Sequence, residues 1–588
     1  MSESPIGEYL SPKYKWIYRG SDWRLCTELA RRHNIPVSLA ETLIKREISD
    51  DQQISEFFET PLNSLINPFI MKDMKICVNR ICKAVENSEL ICIFGDYDVD
   101  GVSATSLLYL FFKELEANVT FYIPNRLEEG YGLNIEAIEE LARKKVKLIV
   151  TVDCGISAVN EVAEVKKQGM EIIITDHHQP GDALPKEATA IINPMQAGDE
   201  YPFKGLSGVG VAFKVCMAVR HTLRQTPGWG KRLPNLKQYL DIVTLGSIAD
   251  VMPLRGENRT FVSHGLRVLA SENARPGIIE LRKVSGVDGQ PLSSSHVGFS
   301  LAPRINAVGR LGDSDRGFRL LTTLDRSEAR RLAAELDQEN KFRQGIEREI
   351  ITEVFDRIDA ERLDQKYAGL TLHSQNWHPG VLGIVASRVA DKYRRPAIIL
   401  TEEGDGFLKG SARSVPGFHL YDGFKEIADI LTSFGGHKYA AGLKVAADKI
   451  DLLQDRFDSL VRERLTDMDS KPEISVDALI EPEEINSAFM ETLQKFEPCG
   501  SGNKEPLFCM RNVEKFQSVT FVGKDSSHAK CYFIKNGIVL DAIGYDMRDY
   551  EDLLTTQERF DILFTLSHNG YGRSKNLRLV IKDLRKAL

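Results

Sequence analysis

The 588 residues leave room for about three or four domains at roughly 150 residues each. A hydrophobic fraction of 42% with 27% charged residues excludes a disordered or fibrous chain. The net charge of −8, from 76 basic against 84 acidic side chains, leans mildly against a non-specific nucleic-acid coat.

In chain order, residues 1–75 read as a helical lead-in, with 40–46 patterned as a short amphipathic helix. From about residue 89, apolar strands alternate with helices. Strands are expected at 90–94, 119–123, 146–152 and 171–175, and helices at 104–116, 135–145 and 158–167. Units of this kind in series predict an α/β domain over 76–324, a parallel sheet covered on both faces with ligands at the carboxyl ends of its strands. Residues 325–366 predict one long connecting helix of roughly 60 Å. Phe342, Ile346, Ile350, Val354 and Ile358 recur every fourth position there, and Glu339–Arg343 and Glu353–Arg357 offer opposite charges at i, i+4. The apolar spacing does not keep a heptad, which disfavours a coiled-coil dimer and makes a monomer the expectation. A smaller α/β domain follows at 367–471, with a Gly-rich turn at 434–442. Short strands at 513–521, 529–534, 538–543, 561–566 and 577–581 suggest a small antiparallel barrel over 472–588.

The longest clean apolar stretch, Leu107 to Phe112, falls far short of the roughly 20 residues that span a bilayer. The first residues lack a basic start followed by an apolar run, and the nine cysteines contain no Cys-x-x-Cys pair. The expectation is a cytoplasmic chain with reduced thiols and no membrane contact.

Acidic residues at strand ends carry the chemical argument. Gly95-Asp-Tyr-Asp-Val-Asp-Gly101 follows the first strand, Asp153 another, and Asp176-His177-His178 a third; Gly246-Ser-Ile-Ala-Asp250 lies further on. In a parallel sheet these ends share one edge, and converging carboxylates repel unless cations sit between them. Asp96, Asp98, Asp100, Asp153 and Asp250 with one or two histidines suit two divalent ions, oxygen-rich ligation favouring Mn²⁺ or Mg²⁺ over zinc. Asp98, Asp100, Asp153, His177 and Asp250 form the core set, Asp153 the bridge and Asp176 an acceptor orienting an imidazole. His178 either ligates a metal or contacts the scissile phosphate. Arg304 and Arg310 offer two-pronged bonds to phosphates, and Gly435 and Gly436 beside His437 suit an anion in an exposed backbone turn.

The same motifs, in the same order over about 75–588, resemble those of the DHH phosphoesterases. Pro303-Arg-Ile-Asn-Ala-Val-Gly-Arg310, Gly435-Gly-His-Lys-Tyr-Ala-Ala-Gly442 and Phe496-Glu-Pro-Cys-Gly-Ser-Gly-Asn503 narrow the likeness to the superfamily's single-strand-specific 5′→3′ DNA exonucleases. That resemblance implies a DHH domain, a DHH-associated domain and an OB-like nucleic-acid-binding barrel. It implies release of 5′-mononucleotides during DNA recombination and repair, beside a helicase and a single-strand-binding protein. It places Arg310, with Asn306, near the scissile group, and makes Ser411 and Arg413 a pocket for the 5′-terminal phosphate. One position departs from the pattern: where several relatives carry a histidine ahead of the Asp-x-Asp pair, Phe94 stands here, with Asp96 the nearest substitute.

In the barrel, Phe521, Tyr532, Phe533 and Tyr571 are stacking candidates and Lys524, Lys530, Arg573 and Lys575 backbone contacts, alternation burying about half of the aromatics. Residues 500–588 hold 14 Lys and Arg against 11 Asp and Glu, a local sign that fits a binding module. Two other readings compete. One is a DHH phosphoesterase acting on short oligonucleotides, cyclic dinucleotides or pyrophosphate; the other is a non-catalytic single-strand-binding protein. The third module favours a polymer, and an intact set of buried carboxylates favours an enzyme.

Overall fold

The computed structural model describes residues 11, 13–125, 129–130, 132–229, 233–311, 315–465, 471–523, 526–569 and 576–587. Among them, no helix is long and apolar enough to cross a membrane, and all nine cysteines are free thiols.

Ile91–Phe94, Leu148–Val152 and Ala190–Ile192 are buried at every position, as strands covered on both faces must be. With Val119–Tyr122 and Glu171–Thr175 they form a five-stranded sheet, parallel throughout. Its spatial order is second, first, third, fourth, fifth by chain position. The direction of winding therefore reverses beside the first strand, between it and the third, and a doubly wound sheet opens a crevice at that point. Asp96 to Asp100 leave the first strand and Asp153 leaves the third, so topology alone carries these carboxylates to the crevice. The Ala190–Ile192 strand was not among the expected elements, being too short to show a pattern.

The connecting helix is Arg326–Glu361, 36 residues or about 54 Å. It ends at Arg362, whose φ of 51° breaks the helix before a short turn, Leu363–Lys366. Leu332, Ala333 and Leu336 join the core of the first domain, whereas Ile350, Val354 and Ile358 join that of the second. Phe342 falls between the two cores and is 62% exposed, which interrupts the expected stripe. The charge pairs also differ from expectation. Arg343 bonds Glu347, Glu339 turns to Arg316, Arg357 pairs with Glu361, and Glu353 accepts from the Trp377 indole.

The second domain is a five-stranded sheet in the order Leu431–Gly436, Ala440–Ala446, Phe407–Arg413, Ala397–Gly404, Leu370–His373, only the last pair parallel. The C-terminal strands close on themselves: Phe508–Lys515 pairs with both Arg559–Asn569 and His528–Lys535. Closure removes the free edges that an open sheet would leave. The barrel is not wholly antiparallel as expected, since Ile538–Gly544 runs parallel to Asn576–Lys586. The expected 513–521 strand is two, Phe508–Lys515 and Thr520–Val522.

The lead-in begins with a strand, Lys15–Ile17, paired in parallel with Glu473–Ser475. Leu39, Leu43, Ile54 and Phe57 of its helices share one core with the barrel's Phe508 and Phe564. Its packing partner lies more than 400 residues away, which no local pattern discloses.

Candidate metal centre

Gly95 to Asp98 turn the chain from the first strand straight into the helix Val99–Glu114. Asp98 caps that helix, its Oδ1 accepting from the amides of Asp100 at 2.9 Å and Gly101 at 3.0 Å. The cap fixes the carboxylate at the sheet edge. Asp100, in the first turn of that helix, accepts from the amides of Gly208 at 2.6 Å and Val209 at 3.0 Å, where the helix Gly208–Gln225 begins. Asp153 has a φ of 62°, a left-handed backbone that is costly for a residue with a Cβ. A Cβ on Gly208 would stand 2.5 Å from Asp153 Oδ1. Only glycine allows that approach, and the one signal for it in the sequence is the Ser207-Gly-Val-Gly run.

His177 stands at the centre. Its Nε2 is 3.1 Å from Asp153 Oδ1, 3.5 Å from Asp250 Oδ2 and 4.0 Å from Asp100 Oδ2. Asp250 is the C-cap of the helix Leu240–Ala249. Three sets bring ligand atoms within 4.8 Å of one another: Asp100, His177 and Asp250; Asp153, His177 and His178; Asp96, Asp98 and Asp153. Asp153 and His177 each belong to two. Phe94 takes no part, being buried and stacked on Tyr122 with ring centroids 5.1 Å apart. His178 Nδ1 lies 2.7 Å from Asp176 Oδ1, and Asp176 also accepts the backbone amides of His177, His178 and Ile156.

Burial pushes the carboxyls of Asp100 and Asp153 well above the ordinary range, and the neighbouring aspartates push in the same direction. Asp250 rises to about 7, through burial first and Asp98 second. Burial, with His178 alongside, lowers His177 to about 4, so it is a neutral imidazole at pH 7. Burial opposes the charge on His178, yet the Asp176 bond outweighs it and raises that ring to about 9. Burial likewise opposes the charge on Asp176, but His178 and the backbone amides hold it below the usual range.

The residues fit divalent cations. Nε2 of His177 and Oδ2 of Asp250 are buried and make no hydrogen bond among the described residues, and carboxylate oxygens with neutral imidazole are the donors Mn²⁺ and Mg²⁺ take. A pH dependence follows. Raised carboxyl pKa values mean that the metal-free fold holds protons the unfolded chain has lost. The contribution of a raised carboxyl such as Asp250 to stability is present below about pH 4 and is lost as pH rises through about 7. Cations replace those protons, so Mn²⁺ is expected to raise the melting temperature more at pH 8 than at pH 5.5. Differential scanning fluorimetry checks this, and an equal or smaller gain at pH 8 would count against it.

Comparison with known proteins agrees with this geometry. The single-stranded-DNA-specific exonuclease RecJ of Bacillus subtilis is 37% identical over 575 residues, covering 98% of this chain and 71% of the relative. The Escherichia coli RecJ is 36% identical, covering 95% and 98%. The chain belongs to the RecJ family. The DHH family N-terminal domain matches residues 90–247, the DHHA1 domain 364–463 and the RecJ OB domain 476–583. The crystal structure of Thermus thermophilus RecJ in complex with Mn²⁺ superposes with a TM-score of 0.82 at 27% identity, covering 98% of this chain and 80% of that one. A structure of the same protein holds Mg²⁺.

The remaining expected residues of the chain divide. Arg304 has partners within the protein. Its guanidinium bonds Asp337 Oδ1 at 2.9 Å and the carbonyls of Ser300 at 2.6 Å and Val284 at 3.4 Å. These bonds tie its helix, Ala302–Leu311, to the connecting helix. Asn306 accepts the Val99 amide at 3.2 Å, which places it behind the Asp98 turn. The side chain of Arg310 lies outside the described residues, as do Lys524, Tyr571, Arg573 and Lys575.

Gly435 and Gly436 do not form a turn; they end the Leu431–Gly436 strand, opposite Gly442 and Ala441. Ser411 pairs with Gly442 across the next strand, so Ser411, Gly442 and Gly435 lie in one row. The two glycines leave that row bare beside the Ser411 hydroxyl. Arg413, two residues along, projects from the same face. Above it begins the helix Leu382–Tyr393: a Cβ on Gly383 would stand 3.0 Å from Arg413 Nη2 and 3.4 Å from Ser411 Oγ. Gly383 carried no signal in the sequence. His437, at the tip of the hairpin, lines a cavity of about 480 Å³ together with Gly155, Ser157, Asp176 and His178 of the first domain. In the barrel, Phe533 is buried in the core, whereas Tyr532 is half-buried with Lys530 Nζ 5.5 Å above its ring.

Proposed function

We propose that the chain degrades single-stranded DNA from its 5′ end, releasing 5′-mononucleotides by metal-dependent phosphodiester hydrolysis. The convergence of five aspartates and two histidines at the switch point of the sheet carries this reading. Asp98, Asp100, Asp153, His177 and Asp250 would hold two divalent ions, with Asp96 and His178 at the periphery. When bound, such a pair makes hydroxide available near neutral pH and stabilises charge on the phosphoryl oxygens.

The chain's own groups do the rest. Asp176 accepts from Nδ1 of His178 and so fixes the ring's direction at the wall of the cavity. Ser411, Arg413 and the first turn of the Leu382–Tyr393 helix receive the 5′-phosphate; the positive end of a helix favours an anion. That cradle sits at a fixed distance from the carboxylates, which fixes the bond that is cut. The cavity between His437 and His178 is bounded by two domains, and that confinement suits one strand better than a duplex. Tyr532 and Lys530 offer the barrel's stacking face and charge. The setting is DNA recombination and repair, with a helicase supplying the strand and a single-strand-binding protein presenting it; the chain acts as a monomer.

Single strands labelled at either end test this reading. With Mn²⁺, the 5′ label is expected to appear at once as a mononucleotide while the 3′ label stays on a shortening strand, and chelator stops both. Early release of the 3′ label, or a preference for dinucleotides over long strands, would defeat it.

A further inference from the structure

Residues 495–503, just ahead of the barrel strand Phe508–Lys515, lie against the segment that follows Asp250. The Leu254 amide donates to the Ser501 carbonyl at 2.7 Å, and Arg255 Nε donates to the Gly502 carbonyl. Gly502 has a φ of 69°, and a Cβ there would stand 2.9 Å from Pro253 Cβ; one on Gly500 would stand 2.8 Å from Leu254 Cδ1. The turn therefore presses bare backbone onto Pro253 and Leu254, three and four residues beyond Asp250.

The turn is itself held firmly. The buried guanidinium of Arg259 donates to the carbonyls of Lys495 at 2.8 Å, Phe496 at 3.1 Å, Glu497 at 3.0 Å, Pro498 at 3.3 Å and Phe57 at 2.8 Å. It also stacks 3.7 Å from the centre of the Phe57 ring. Every nitrogen of the fork is engaged, almost entirely with backbone. The Asn503 side-chain amide donates to the carbonyls of Phe496 at 2.9 Å and Pro498 at 2.8 Å, and Arg46 donates to Asn503 Oδ1. Little slack remains on the Asp250 side. The amides of Val251 and Met252 close onto Ile248 and Ser247, each at 3.1 Å, and Asn258 Nδ2 grips the Pro253 carbonyl at 3.1 Å.

We propose that the 495–503 turn is a positioning element for Asp250: it acts through Pro253 to Arg255, so that seating of the barrel determines how well the Asp250 side of the metal centre is formed. The proposal rests on the reading of Asp250 as a metal ligand. A module expected to serve only nucleic-acid binding thereby also takes part in building the centre where hydrolysis occurs.

Mn²⁺ titration by calorimetry and steady-state cleavage of a long strand test it, on the full chain, with Gly502→Ala, Arg255→Ala, Asp250→Asn and the Gly502→Ala/Asp250→Asn double variant. Displacing a group that supports a ligand typically weakens metal binding about tenfold or more, and Gly502→Ala is expected to do so at one site. Its kcat should fall while KM for the strand is kept. Arg255→Ala, which removes an exposed side chain and leaves the fold intact, should shift Mn²⁺ affinity the same way by less. The double variant should bind no more weakly than Asp250→Asn alone. Wild-type Mn²⁺ affinity in both Gly502→Ala and Arg255→Ala, with Asp250→Asn impaired, would overturn the positioning role and leave the ligand reading standing. Further weakening in the double variant would also overturn it. Wild-type binding in Asp250→Asn would remove the ligand reading and the proposal together. If Gly502→Ala does not fold, Arg255→Ala decides.

Discussion

Asp153→Ala is expected to lower Mn²⁺-dependent cleavage by roughly a thousandfold or more while leaving single-strand binding in metal-poor buffer close to wild type. The size follows from position. Asp153 shares one set of ligand atoms with His177 and His178 and another with Asp96 and Asp98, so its loss disturbs both halves of the centre. A metal pair supplies several kcal/mol to phosphoryl transfer, and each 1.36 kcal/mol is a factor of ten. The fold should tolerate the change. Burial and the neighbouring aspartates disfavour a charge on Asp153, which also sits on a strained backbone, and alanine removes the electrostatic cost if not the strain. Single-turnover cleavage at saturating strand, beside a binding isotherm in chelator, checks both halves. Cleavage within tenfold of wild type would take Asp153 out of the chemistry.

Arg413→Ala is expected to erase the preference for a 5′-phosphorylated end. A hydrogen bond to a charged group is worth about 1.5–3 kcal/mol, roughly 10- to 150-fold in kcat/KM for the phosphorylated strand. Strands with a 5′-hydroxyl should be cut about as fast as by wild type, because the lost contact is to a group they lack. Ser411→Ala should act in the same direction and more weakly, since a hydroxyl donates one bond to a phosphate where a guanidinium can donate two. Gly383 gives the arrangement its tightness: its Cα faces both side chains, and a methyl there would press on Arg413 Nη2 at 3.0 Å. Competition between the two strand types in one reaction measures the ratio directly, and an unchanged ratio in Arg413→Ala would place the end-reading pocket elsewhere.

Much of the metal centre was legible because each carboxylate directly follows an apolar strand or helix, and a parallel sheet brings such ends to one edge. Asp98, Asp100, Asp153 and His177 come together by that rule, whereas Asp250 ends the helix Leu240–Ala249 and not a strand, so strand order alone does not bring it there. Legibility failed where the deciding partner is remote. The pairing of Arg304 with Asp337, on the next long helix, has no local signal in the sequence. Gly208 and Gly383 matter through what approaches them, and glycine in a sequence does not announce an approach. Phe342 keeps the helical period of its neighbours, yet the helix passes from one core to another at that point, and period alone does not say where a core ends. The pairing of 542–544 with 579–581 is parallel because the barrel closes across a long connection, whereas short strands in series suggest only hairpins. Packing of the lead-in helices on the barrel was hidden for the same reason.

The most direct measurement is anomalous diffraction at the manganese edge from crystals soaked in Mn²⁺. Two peaks about 3.5–4 Å apart are expected, with Asp153 reaching both and Asp98, Asp100, His177 and Asp250 around them. A rim without manganese, or peaks that leave Asp153 and Asp250 pointing to separate places, would contradict a two-ion centre at the switch point of this sheet.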